Sequence, residues 1–207
     1  MVRSLPLIAL SISMLAPSIA RAQSCAAADA VLGANKKHDQ LKEHYDKFAD
    51  TTSLESKAQV FAFLGQQEDM WLSFVVKHGG QAPGPVTTAL HLKASHDVGR
   101  GQAAQSPEVF PDSTVAIVLA DSARITLRGG GHRTQRLEFN IIGPPSVDEE
   151  LWFPISLEQL AQIAVAHSGG VRIGAFDMPM QNKIVESASL AYRTAVCPPI
   201  FAASGTK

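Results

Sequence analysis

The sequence predicts an α+β protein: a mostly antiparallel sheet with helices packed on one face, preceded by an N-terminal helix. Two observations carry that expectation. Between residues 69 and 142 several short stretches alternate apolar and polar residues, separated by Gly- and Pro-containing turns, which is the mark of consecutive hairpins. Near the C-terminus, 157–164 and 184–195 carry apolar residues at helical spacing instead. An apolar fraction of 45% against 18% charged residues excludes a chain that stays disordered for want of a core.

The N-terminus reads as an address. Arg3 gives a positive start, Leu5 to Leu15 an apolar run, and Ala20-Arg21-Ala22 a small-x-small cleavage site. The run is shorter than the roughly 20 residues that span a bilayer, which argues against an uncleaved anchor. Cleavage after Ala22 divides the chain into a signal peptide at 1–22 and a single domain at 23–207. It leaves 185 residues and removes Arg3 and Arg21 but no acid, so the net charge moves from −1 to −3. Near-neutral charge excludes a strongly basic nucleic-acid binder. No later stretch is long and apolar enough to cross a membrane, and the product is expected in a periplasm or outside the cell.

Two cysteines survive cleavage, Cys25 and Cys197. In an oxidising compartment an even count predicts a bridge, here one that ties the two ends of the domain together. The chain-entropy argument gives about 5 kcal/mol for a loop of that length. The competing readings are a lipidated Cys25, which Gln23 and the absence of Leu at position 22 argue against, and a reactive Cys197, which has no neighbour in sequence to lower its pKa.

Within 23–50, residues 26–48 read as an amphipathic helix weakened at Gly33, with Ala34, His38, Leu41, Tyr45 and Phe48 on one face. Residues 51–155 read mainly as strands. Asp69–Lys77 and Val86–Ala94 are two, and 96–113 is a long exposed loop. Val115–Ala120 and Ala123–Arg128 make a hairpin about Asp121-Ser122, Gly129-Gly130-Gly131 turns the chain, and Arg136–Ile142 follows. Leu151–Ile155 contains Pro154 and is expected at an edge or a strand end. Residues 156–197 read as helix, strand, helix, and 198–207 as a tail. Ser156 and Gln159 make a capping box, and Leu157, Leu160, Ile163 and Ala164 an apolar stripe. Gly169-Gly170 stops that helix, Val171 and Ile173 begin a strand, and Pro179 suits the first turn of the last helix. The unit 151–176 admits a parallel strand–helix–strand crossover.

Motifs for catalysis are sparse. Gly-x-Ser-x-Gly is absent, and His78-Gly79-Gly80, which resembles an oxyanion loop in composition, more simply turns the chain. There is neither His-Glu-x-x-His nor Cys-x-x-Cys, so no metal centre is expected; His91, His96 and Asp97 come nearest to a ligand cluster. His38 and His44 point to different faces of the expected helix. Gly99-Arg100-Gly101 lacks the rest of a dinucleotide fingerprint, so no cofactor is expected. Asp148-Glu149-Glu150 reads as a solvated acidic turn. Arg124, Arg128 and Arg136 flank the triple glycine and, on paired strands, share a solvent face that suits an anion or an envelope polymer; pairing with acids such as Glu138 is the plainer account. The expected function is therefore a non-catalytic binding or envelope-associated module. The alternatives are a hydrolase whose residues come from distant strands, and a carrier of a small apolar ligand on the sheet face with Trp71 or Trp152.

Overall fold

A computed structural model of the protein describes residues 16–33, 41–57, 59–62, 68–81, 84–97, 110–137 and 146–197. Helix α1 (Ala16–Gly33) leads. Strands β1 (Lys42–Asp46), β2 (Thr51–Glu55), β3 (Gln59–Ala62), β4 (Glu68–Gly79) and β5 (Val86–Asp97) follow. Then come β6 (Val115–Ala120), β7 (Ala123–Arg128), β8 (Gly131–Leu137) and β9 (Ser146–Ile155). The chain continues with α2 (Leu157–Ala164), β10 (Gly169–Ile173), β11 (Phe176–Pro179) and α3 (Asn182–Val196). The fold is α+β, and among the described residues every strand pairing is antiparallel.

The strands form two sheets rather than one. The larger runs β1-β2-β4-β5-β9-β8, with β3 beside β2 along the edge of the long β4; the smaller runs β11-β10-β6-β7. Strict alternation sends Leu72, Phe74, Val76, Leu90, Leu92, Leu151 and Phe153 of the larger sheet into the core. Ala116, Val118, Ile125, Leu127, Val171 and Ile173 of the smaller sheet join them. Helix α3 packs on β4 through Ile184, Ala188 and Ala191, α2 on α3 and β6 through Leu160, Ile163 and Ala164, and α1 on α3 through Ala28 and Leu32. The opposite face of the larger sheet carries Ser73, Val75, Lys77, Ala89, His91 and Trp152.

Covalent and polar ties fix these layers. Cys25 and Cys197 form the expected disulfide, with Cα atoms 5.8 Å apart, and Arg193 of α3 pairs with Asp29 of α1 at 2.6 Å beside it. The capping box at α2 is present in both directions, Gln159 N donating to Ser156 Oγ at 3.1 Å and Ser156 N to Gln159 Oε1 at 2.9 Å. At the other end of α2, Ser189 Oγ donates to the Ala164 carbonyl, one of the acceptors a helix C-terminus leaves unfilled. The β6–β7 turn is held by Asp121 (φ +51°), whose Oδ1 accepts from His167 N, Ser168 N and Ser168 Oγ at 2.9–3.1 Å. Those bonds hold the Asp121 carboxyl below the usual carboxylate range, that from His167 N most of all.

Several expectations are corrected. Of the helix expected over 26–48, residues 26–33 belong to α1 and 34–40 lie outside the described residues, while 42–46 is strand β1, hairpinned to β2. The turn between them closes because Asp46 Oδ1 accepts from Phe48 N and Ala49 N while Asp50 takes φ +46°; Phe48, counted on the apolar face, stands 91% exposed at its tip. The antiparallel strands fall into two sheets: among the described residues β7 pairs only with β6, and β8 only with β9. β9 is twice the expected length and lies inside the sheet. Pro154 is tolerated there because the β8 ladder has ended at Trp152, where Gly130 N closes on the Trp152 carbonyl at 2.7 Å. Asp148, Glu149 and Glu150 belong to β9 and not to an acidic turn. The unit 151–176 joins one sheet to the other and is no parallel crossover. Helix α2 ends at Ala164, before the glycines; Gly169 and Gly170 open β10, and Gly169 (φ +139°) lies so close to Leu119 that a Cβ would sit 1.8 Å from its carbonyl oxygen. Pro179 closes β11, not α3. In the region read as a loop, β5 extends to Asp97 and Phe110 is buried, while 98–109 lie outside the described residues. β8 starts at Gly131, and 138–142 of the strand expected there, with Glu138, lie outside them as well.

Candidate functional site

The outer face of the larger sheet holds a polar chain that ends on an aromatic ring. Register places Ser73 of β4, His91 of β5, Trp152 of β9 and Gly131 of β8 in one row. Glu55 of β2 reaches into it: its Oε1 accepts from Ser73 Oγ at 2.6 Å and lies 2.9 Å from His91 Nδ1. The His91 ring is buried and stacks on Trp152 at 4.9 Å between centroids, with the planes 10° apart. The hydrogen bond from His91, helped by that from Ser73, outweighs burial and lowers the Glu55 carboxyl from 4.5 to about 2. His91 Nε2, also buried, has no hydrogen-bond partner among the described residues.

Beside this row lies a groove of about 540 Å³, within the roughly 300–1,000 Å³ of small-molecule sites. Val75 and Ala89, paired in register, form its floor. Trp152, Pro154, Gly130 and Gly131 flank one side, and Lys77 and Thr87 stand at one end. A side chain at Gly130 would meet the Pro154 ring at 2.6 Å, and one at Gly131 would meet the indole at 3.4 Å, so the glycines let the β8 end approach β9 closely. Val75 is buried on this face, apart from the main core cluster.

The cluster does not assemble an activated serine. Ser73 donates to the carboxylate and not to the imidazole, whereas a serine nucleophile needs the imidazole at its hydroxyl. A second buried group joins β8 and β9 to the 110–114 segment: Glu149 Oε2 accepts from Phe110 N at 3.1 Å and lies 3.4 Å from His132 Nε2, while His132 Nδ1 is 2.8 Å from Asp112 Oδ1. Among the described residues no three His, Cys, Asp or Glu are grouped to hold a metal ion.

Of the residues singled out in the sequence, His91 is in the row just described, while the side chains of His96 and Asp97 lie outside the described residues, as do His38 and Gly99–Gly101. Arg124 and Arg128 share the exposed face of β7, but Arg136 lies on β8 of the other sheet, so the three are not on paired strands. His78-Gly79-Gly80 is used in folding: Gly80 N donates to the Asp50 carbonyl and Thr52 Oγ1 to the Gly80 carbonyl, both at 2.7 Å. Of the two tryptophans, Trp152 lines the groove. Sequence reading missed Glu55 of β2 and Ser73 and Lys77 of β4, because nothing local said which strands would lie side by side. Among the described residues no helix is long and apolar enough to cross a membrane. Comparison with protein-family models, with curated proteins and with solved structures finds no match for this chain.

Proposed function

We propose that this is an exported binding protein whose groove on the outer face of the larger sheet takes a small, largely apolar ligand. The observation that carries this reading is Trp152. Its indole lines an open, mostly apolar groove and is braced from behind by the His91–Glu55–Ser73 chain. A ring held that way loses little freedom when a ligand packs on it, which lowers the cost of binding. Export is supported by the signal-like residues 1–22 and by the disulfide, which belongs to an oxidising compartment.

The chain has two tryptophans, so Trp71→Phe leaves Trp152 as the only indole reporter. Titration of that variant with N-phenyl-1-naphthylamine, a neutral apolar dye, should give saturable energy transfer from Trp152 at one dye per chain. Filling the floor with Ala89→Phe should abolish it while leaving the circular dichroism of the fold intact. Transfer that never saturates, or that survives the filled floor, defeats the reading. Intact mass of the exported protein should start at Gln23 and show two thiols only after reduction.

A further inference from the structure

We propose that the groove is built for an amphiphilic monoanion, whose apolar body lies on Val75 and Ala89 and whose charged end sits at Lys77 and Thr87. This rests on the groove being a ligand site and adds the class of ligand. Among the described residues that line the groove, Lys77 is the only charged one. It is exposed and has no carboxylate partner among the described residues, unlike Lys93 on the same face, which pairs with Glu150 at 3.1 Å. Register sets Thr87 directly across from Lys77, so an ammonium and an exposed hydroxyl face one point at the end of the floor. An ammonium and a hydroxyl donor together suit a carboxylate or phosphate-type oxygen.

The other charge near the floor is directed away. Glu55 lies in register with Val75, but its carboxylate reaches toward Ser73 and His91, opposite in strand direction to Lys77. The row of His91 and Trp152 and the row of Lys77 and Thr87 are four residues apart along β4. At about 3.4 Å per residue that is roughly 14 Å. One cation at one end and an indole at the other therefore define a ligand with a single anionic head and an extended apolar tail.

The test uses the mature chain carrying Trp71→Phe, with Trp152 fluorescence as the signal. Decanoate, decan-1-ol and decyltrimethylammonium are titrated separately. Decanoate should bind more tightly than the alcohol by roughly three- to tenfold, the range between a solvent-exposed and a partly desolvated ion pair, and more tightly still than the ammonium. The preference should fall with added salt. Lys77→Met should remove it, so that decanoate and decan-1-ol bind that variant equally; Lys77→Glu should turn it toward the ammonium. Lys77 is exposed, so both variants should keep the wild-type circular dichroism. Equal binding of alcohol and decanoate, or a decanoate preference that survives Lys77→Met, overturns the anionic end while leaving the groove as an apolar site. Failure of all three ligands together with the neutral dye overturns the groove and this proposal with it.

Discussion

Replacing Glu55 by Gln isolates the contribution of charge to the row that braces Trp152. Gln keeps the shape and can still accept from Ser73 and His91, but it removes the carboxylate that each of them now meets, at 2.6 and 2.9 Å. A carboxyl held at about 2 instead of 4.5 corresponds to at most about 3 kcal/mol of folding free energy. The Glu55 side chain keeps 34% of its surface in solvent, and screening there brings the figure down to about 1–2 kcal/mol. Because the folded-state value is depressed, that stability is fully present above pH 4.5 and drains away as the pH falls toward 2. Urea unfolding of wild type and Glu55→Gln at fixed pH between 7 and 2, followed by circular dichroism, should give a gap of about 1–2 kcal/mol at pH 7. The gap should close between pH 4.5 and 2. Trp152 emission should shift in the variant at pH 7, because the imidazole stacked on it loses its charged anchor. A gap that is the same at every pH would refute the reasoning, since an uncharged effect of the substitution has no cause to titrate with a carboxyl.

Replacing both Cys25 and Cys197 by Ser should cost about 2–5 kcal/mol in urea unfolding, given the 172-residue separation; a loss below about 1 kcal/mol would mean that the ends of the domain dock without the bridge. Gly169→Ala should destabilise by roughly 2–4 kcal/mol, because its φ and its approach to the Leu119 carbonyl both exclude a side chain. Gly79→Ala, where nothing lies within 4 Å, should be near neutral, and equal losses at the two glycines would count against the close packing of β10 on β6. Ser156→Ala should cost about 1 kcal/mol and speed amide exchange at Gln159.

The legible parts of the sequence were those whose signal is local. The Ser156–Gln159 capping box needs only four residues to be recognised, and it is present as read. The alternation of Val86–Ala94 gave the facing of β5, including His91 opposite to Leu90 and Leu92. The stripe Ile184, Ala188 and Ala191 of α3 is buried as its spacing implies. Residues 41–48 read as helix because Leu41, Tyr45 and Phe48 fall at helical spacing by chance; a single Asp46 side chain bonding two backbone N–H groups, with Asp50 left-handed after it, makes a hairpin turn there instead. Glu149 reads as part of a solvated acidic turn because it follows Pro144-Pro145, yet strand alternation turns it inward while Asp148 and Glu150 stay at the surface side of β9.

From the sequence alone came the α+β class, most strand and helix positions after residue 68, the pairing of two cysteines, and the export signal as an expectation. The tertiary structure decided which strands are neighbours: it divided them into two sheets, separated Arg136 from Arg124 and Arg128, and brought Glu55, Ser73, His91 and Trp152 together from four strands. The physical reason is that a period of two repeats identically in every strand. It sets which face a side chain takes but says nothing of the partner across the ladder, and that choice is made by the collective burial of the core that both sheets and the helices share.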